Sequence, residues 1–315
     1  MFALCVEASH ARGMGHLYRA LALAGSLESR RAKVRIYVND DQRAARILRD
    51  RGLPWRAVPL ADTHGAWEPA LVQADGIRVW VDDRLDTDLE HARRVRDAGA
   101  RLATFDDRGG GAELADLNIV AVPLTDDEQI RGKRTLSGLS YLVIDPAATQ
   151  YRRLRRGCAS MVVSMGGSDT YGVTIDVVHA LRSAGRAATV VLGPGFAHDS
   201  ALDRVLGDLF TVKRSVASLA EEFARHDLAI TAGGLTPYEA NAAGLPCVVI
   251  ATEPWEVRTG EVLGRLGGCI YAGWRERIDF TAFEATLPIE KMSRAALASV
   301  PTDGAARVAA ELLAL

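Results

Sequence analysis

Short apolar, β-branched runs recur along this chain, and longer stretches of helical spacing separate many of them. In the first half the runs are "FALCVEA", "VRIYVN", "VWVDD" and "LATFDD"; in the second, "MVVSMGG", "ATVVLGPG", "DLAITAGG" and "CVVIATE". Continuous apolar runs of this length are what a strand buried on both faces requires. The intervening "HLYRALALAGSLESR", "DDQRAARILRDRG", "YGVTIDVVHALRSAG" and "VASLAEEFARH" repeat apolar residues at helical intervals. Strand and helix in alternation predict an α/β architecture of open, doubly wound parallel sheets. A chain of 315 residues accommodates two such sheets. The polar, basic segment "DPAATQYRRLRRGC", with Pro146, marks the expected boundary, giving domains over 1–150 and 151–315. Its arginines read as a solvated linker or helix face. The terminal "DGAARVAAELLAL" reads as an apolar-faced helix docking back on the body, with the N-terminal domain as its expected seat.

The formal net charge of −2 gives no reason to expect a nucleic-acid partner or an anionic membrane surface. No apolar run approaches the roughly 18 residues of a membrane span, and "MFALCVEAS" lacks a basic signal-peptide start. Cys5, Cys158, Cys247 and Cys269 are scattered without metal-ligand spacing, which fits reduced, structural thiols and a cytoplasmic setting. The expected partner is therefore a small molecule or a protein.

In open α/β sheets ligands bind beyond the carboxyl ends of the strands. The two sheets are expected to face one another across a cleft, so strand-end residues are the candidates. Three strand ends are rich in glycine. In "EASHARGMGHLYRALALA", Gly13 and Gly15 let the backbone approach a ligand, and His16 follows immediately, either as a site imidazole or as the start of a helix. In "MVVSMGGSDTYG", Gly166, Gly167 and Ser168 suit a phosphate, while Ser168 or Asp169 equally suits a helix cap. In "TAGGLTPYEANAAGLP", Thr236 and Glu239 have capping-box spacing with Pro237 at the first helical position. That box does not account for Gly233 and Gly234, whose unshielded N–H groups at a helix start suit a diphosphate. Glu239 closes the box or accepts from ribose hydroxyls; spacing alone favours the cap.

Acidic pairs follow two first-half strands, Asp82–Asp83 and Asp106–Asp107. Neighbours on a strand point to opposite faces, so at most one of each pair meets a ligand. Neither pair has the company a metal site needs, and no metal or cofactor is expected. His10, His64, His91, His179, His198 and His226 have no motif partner and read as surface or packing histidines.

Together and in this order, these motifs resemble the PseG-like nucleotide-sugar hydrolases of pseudaminic acid and spore-coat polysaccharide biosynthesis. "GMGHLYRALALA" is similar to that family's G-x-G-H-x-x-R-x-x-x-L-A signature, "MVVSMGGSD" to the opening of its second domain, and "LATFDDRGGGAELADLNIVAVP" to its D-D stretch. "DLAITAGGLTPYEANAAGLPCVVIA" is similar to its nucleotide signature and to the matching region of MurG-type glycosyltransferases. The resemblance covers roughly residues 2 to 270. It implies a GT-B fold: two Rossmann-like domains, UDP held mainly by the C-terminal one. His16 then matches the general base and Arg19 the signature arginine. Gly166, Gly167 and Ser168 match the phosphate-side loop, and Gly234, Leu235 and Thr236 the diphosphate-binding helix start. Glu239 matches the ribose-binding glutamate and Val216 a position near uracil. Asp82 and Arg84 align with a D-x-Y pattern, with Arg84 replacing the tyrosine; Glu253 to Glu256 stand where the family often has an N-Q pair.

The implied activity is metal-independent hydrolysis of a UDP-linked deoxy or acetamido sugar, of the UDP-2,4-diacetamido-2,4,6-trideoxyhexose type. One alternative is a MurG-like glycosyltransferase, for which Trp55 and Trp67 offer an apolar acceptor surface unless they are ordinary packing. Another is a non-catalytic nucleotide-sugar-binding protein.

Overall fold

The computed structural model describes residues 1–8, 14–62, 64–122, 130–214, 216, 218–284 and 286–315. The chain divides into two compact units, Met1–Val143 with Asp303–Leu315, and Ile144–Thr302. Strands and helices run in the order β1 (Phe2–Val6), α1 (Gly15–Glu28), β2 (Val34–Val38), α2 (Gln42–Asp50), β3 (Trp55–Ala57), α3 (Trp67–Asp75), β4 (Val79–Asp83), α4 (Leu89–Asp97), β5 (Arg101–Phe105), β6 (Leu117–Val120) and β7 (Thr135–Ser137). The second unit continues with β8 (Met161–Ser164), α5 (Val173–Ser183), β9 (Ala188–Leu192), α6 (Asp199–Val205), β10 (Phe210–Arg214), α7 (Leu219–Ala224), β11 (Leu228–Ala232), α8 (Thr236–Ala242) and β12 (Cys247–Ala251). It closes with α9 (Glu256–Leu266), β13 (Cys269–Trp274), β14 (Arg277–Ile278), α10 (Thr281–Glu284) and α11 (Ile289–Ser299); α12 (Gly304–Leu313) returns to the first unit.

Each unit holds one seven-stranded sheet, ordered β3-β2-β1-β4-β5-β6-β7 and β10-β9-β8-β11-β12-β13-β14. The two orders are the same pattern, and among the described pairings only β13–β14 is antiparallel. The order reverses direction beside β1 and β4 in one sheet, and beside β8 and β11 in the other. These are the positions where the connecting loops diverge and leave a crevice at the strand ends.

Strand alternation builds two cores around the first sheet. Leu4, Val6, Ile36, Val81, Phe105 and Ile119 face α1 and α12 on one side. Ala3, Cys5, Tyr37, Trp80 and Leu102 meet α3 and α4 on the other. The helix α12 buries Ala305, Val308, Ala309 and Leu312 in the first of these cores. Gly304 makes that seat possible, because a Cβ there would lie 2.0 Å from the Leu142 carbonyl oxygen. Trp55 packs against the α1 side and Trp67 against the α3 side, so the two indoles do not share a surface.

Of the arginines of "YRRLRR", Arg153 and Arg156 are exposed, whereas Arg152 and Arg155 turn inward. Arg155 is fully buried and donates to the carbonyls of Phe223, His226 and Ala243; Arg152 donates to Ala242 and Leu297, each at 2.7 Å. These carbonyls belong to the last turns of α7, α8 and α11, or to residues just beyond, where backbone acceptors lack intrahelical partners. The guanidinium groups satisfy them, and burial draws the Arg155 side chain down to about 10.

Candidate functional site

In the first unit the helix α1 starts at the end of β1, and His16 and Arg19, three residues apart, lie on one helix face. Both turn towards Asp83, the last residue of β4, which is the strand beside β1. His16 Nδ1 lies 2.6 Å from Asp83 Oδ1, and Arg19 Nε donates to Asp83 Oδ2 at 2.7 Å. Arg19 Nη2 also donates to Asp83, and its Nη1 to Asp106. Asp106 in turn accepts from the N–H groups of Ala121 and Val122 at 2.9 and 3.1 Å, beyond the end of β6. Its φ of +46° is in the left-handed region that aspartate tolerates better than most residues.

Burial raises the Asp83 carboxyl, but the charges and hydrogen bonds of Arg19 and His16 outweigh it and hold the group at about 2. Burial likewise works against the Arg19 cation, and Asp83 with Asp106 more than restores it. An ionised Asp83 only accepts, so Nδ1 of His16 carries the proton it shares, and in the neutral imidazole Nε2 then keeps its lone pair. Arg19 Nη2, 3.4 Å from Nδ1, faces a donor and adds no bond there. The result is an oriented imidazole with a basic nitrogen, the arrangement general-base catalysis uses.

Asp82 does not join this group. Its side chain leaves the opposite face of β4, is fully buried, and accepts from Trp80 Nε1 at 2.9 Å and His91 Nε2 at 3.0 Å. His91 Nδ1 lies 2.8 Å from Glu68, which also receives Arg94. Burial opposes the His91 cation, yet Asp82 and Glu68 raise it to about 9. His91 is therefore a buried charged bridge between two helices and a strand, which its sequence surroundings did not disclose. Arg84 donates to the Leu60 carbonyl at 3.3 Å. Gly15 begins α1; Gly13 and His10 lie outside the described residues.

In the second unit the turn after β8 has Gly166 at φ +87°. Gly172 is the N-cap of α5, and the first N–H groups of the helix, those of Val173 and Thr174, donate to the Asp169 carboxylate, each at 2.9 Å. Among the described residues the Ser168 hydroxyl hydrogen-bonds only the Thr170 hydroxyl, at 3.2 Å. The turn after β11 differs from its capping-box reading. Leu235 is the N-cap, without a side-chain cap bond, and its carbonyl receives Tyr238 and Glu239 N–H. Thr236 is instead the first helical residue, so its hydroxyl sits too far into the helix to cap Glu239.

Glu239 is thereby released from the capping role. It is half-buried, its carboxyl has no hydrogen-bond partner among the described residues, and that carboxyl is pushed up to about 7 by burial and the Asp145 carboxylate. Gly233 has a clear steric reason: a Cβ would meet Glu256 Cβ at 2.7 Å and its carbonyl oxygen at 2.8 Å. Gly234 is open, with Glu256 Oε1 nearest at 3.5 Å. Glu256, the first residue of α9, accepts from Thr252 N–H at 2.7 Å, the Thr252 hydroxyl at 2.9 Å and Glu253 N–H at 3.2 Å. Val216 is half-buried between β10 and α7.

Asp83, Asp106 and Glu256 are the members that sequence reasoning did not assign. Strand parity carried part of the signal: Asp83 shares the face of Val81, whereas Asp82 shares that of Trp80.

The crystal structure of Acinetobacter baumannii MurG superposes with a TM-score of 0.70 at 14% identity, covering 100% of this chain and 99% of that one. The fold is GT-B. Anabaena HepE, solved in complex with UDP, covers both chains completely with a TM-score of 0.64 at 15% identity. The spinosyn rhamnosyltransferase SpnG, complexed with thymidine diphosphate, gives 0.63 at 16% identity over 99% of this chain and 100% of its own. In sequence, the chain is homologous to the spore coat polysaccharide biosynthesis protein SpsG of Bacillus subtilis, 23% identical over 86% of this chain and 83% of that protein. An uncharacterized protein of Methanocaldococcus jannaschii, MJ1062, is 24% identical over 79% of this chain. The match spans 55% of that archaeal protein, about half its length. No protein-family model matches the chain. Among the described residues no helix is long and apolar enough to cross a membrane.

Proposed function

We propose that this protein hydrolyses a UDP-linked deoxy or acetamido sugar, of the UDP-2,4-diacetamido-2,4,6-trideoxyhexose type, in surface polysaccharide or nonulosonic acid biosynthesis. The observation that carries the reading is the His16–Asp83 pair, which engages Nδ1 of His16 with the carboxylate and leaves Nε2 as the ring nitrogen available to substrate. Homology to SpsG and the GT-B fold it shares with the UDP complex of HepE support the nucleotide-sugar part.

In this reading His16 Nε2 removes a proton from water as the water oxygen attacks the anomeric carbon. The bond from that carbon to the diphosphate oxygen breaks, and UDP leaves with the electron pair. UDP is a stable anion, so no carboxylic acid is needed to protonate it, unlike the leaving group of ordinary glycosidases. Donors of the Gly166–Ser168 loop and the Gly233–Thr236 turn stabilise the charge growing on the diphosphate. Glu239, unpartnered and half-buried, accepts from the ribose hydroxyls, and backbone beside Val216 meets uracil. Arg19 acts through Asp83 and is a positioning residue.

The glycosyltransferases among the structurally similar proteins favour a second reading, in which a sugar or lipid-linked hydroxyl replaces water. A panel of UDP- and other nucleotide-sugars, assayed for free nucleotide with and without acceptors, separates the two. Acceptor-free UDP release that His16→Ala abolishes, with UDP binding intact, is expected. Strict acceptor dependence would move the assignment to transfer, and near-normal release by His16→Ala would remove His16 as the base.

A further inference from the structure

The turn proposed to take the diphosphate is bordered by carboxylates. Glu256 lies against Gly233 and Gly234, Glu253 follows β12, and Asp169 caps the neighbouring loop. A diphosphate carries at least two negative charges, so backbone donors alone face opposing charge there. One cation is built into the same edge of the sheet. Arg275 directly follows β13, with its guanidinium carbon 4.2 Å from the ring centre of Trp274 and 3.8 Å from that of Tyr171.

The sheet order makes this contact informative. Tyr171 lies in the loop after β8, and β11 and β12 stand between β8 and β13. With strands about 4.8 Å apart, the contact bridges about 14 Å across the ends of β11 and β12. It thus crosses the edge where the Gly233–Thr236 turn emerges. The bridge is tied at both ends: Tyr171 hydrogen-bonds Glu253, and Arg275 Nη1 donates to the Thr252 carbonyl. Thr252 also binds Glu256 through its N–H and hydroxyl, so a continuous run of contacts leads from Arg275 to the glycine turn. Among the described residues Arg275 Nη2 is spent only on Glu276, at 3.3 Å, whose side chain is 72% exposed. Such a rim pair is easily exchanged.

We propose that Arg275, set over the rings of Tyr171 and Trp274, is the cation that pairs with the diphosphate of the bound nucleotide and makes the second unit select nucleoside diphosphates over nucleosides. A stacked, weakly hydrated guanidinium presents its N–H edge in a plane, which suits two phosphate oxygens better than an ammonium does. The inference rests on the nucleotide reading of this unit.

Titration calorimetry of the full chain with uridine and with UDP tests it. The wild type is expected to bind UDP more tightly than uridine. Arg275→Ala is expected to weaken UDP about 10- to 100-fold and uridine less than about twofold, with Arg275→Lys between. Uridine binding shows that the variant is folded. Tyr171→Ala is expected to lose part of the UDP preference, and Tyr171→Phe, which keeps the ring, less. An unchanged ratio of UDP to uridine affinity in Arg275→Ala overturns the role of Arg275 and leaves the nucleotide reading intact. A wild type that binds neither ligand overturns both.

Discussion

Replacing Asp83 by asparagine removes one charge from the centre of the first unit and keeps the side-chain shape. Asp83 is 3% exposed and bonded to both His16 and Arg19, so two consequences follow. The first is stability. A carboxyl held at about 2 against an ordinary 3.8 contributes about 2 kcal/mol to folding at neutral pH. Arg19 would also be left buried with Asp106 as its one carboxylate partner, and breaking such a pair costs about 3–5 kcal/mol in total. At about 2–4 °C per kcal/mol, the melting temperature should fall by about 6–20 °C. Because the folded value is depressed, the wild-type advantage is complete above pH about 4 and disappears as pH falls through about 2.

The second consequence is chemical. An amide offers His16 either an acceptor or a donor, so the tautomer with a free Nε2 is no longer fixed. Turnover should drop about 10²- to 10⁴-fold with little change in UDP affinity. Nitrogen-15 NMR of the imidazole reads the tautomer directly, nucleotide release reads turnover, and denaturation from pH 2 to 7 reads the linkage. A folded Asp83→Asn protein turning over within about threefold of wild type would refute the reasoning. So would a wild-type His16 protonated at Nε2 and bare at Nδ1.

Two further expectations concern the surroundings of the sites. Gly233→Ala should destabilise the second unit by about 1–3 kcal/mol, because the new methyl meets Glu256 Cβ at 2.7 Å; Gly234→Ala, with 3.5 Å available, should fold normally and lose UDP affinity. Thermal melting and calorimetry of the pair separate packing from binding. His91, raised from 6.5 to about 9, should contribute about 3 kcal/mol that is fully present below pH about 6.5 and lost as pH rises through about 9. The stability difference between wild type and His91→Gln, measured by denaturation from pH 6 to 10, should therefore shrink with rising pH.

The α/β architecture was legible because it depends on local pattern. Runs such as "DLAITAGG" are apolar enough to lie between two helical layers, and glycines at their ends mark where the chain must turn. The order of these motifs also pointed to GT-B, the fold that MurG shares over nearly the whole of both chains. Which side chains meet was not legible to the same degree. Asp82 and Asp83 are adjacent and chemically identical, yet one binds His91 and the other His16, a choice made by strand parity against helices distant in sequence. Glu239 and Thr236 have capping-box spacing, but the helix begins at Thr236 itself, one residue earlier than a capping threonine needs, leaving the Glu239 carboxyl without a hydrogen-bond partner among the described residues. Arg155 reads as a surface charge until the ends of two helices, α7 and α8, converge on it. Periodicity along a chain determines which elements form and which faces they bury. Partnerships across 64 to 87 residues, as between Arg19 and Asp83 or Asp106, exist only once the sheet order brings those elements together.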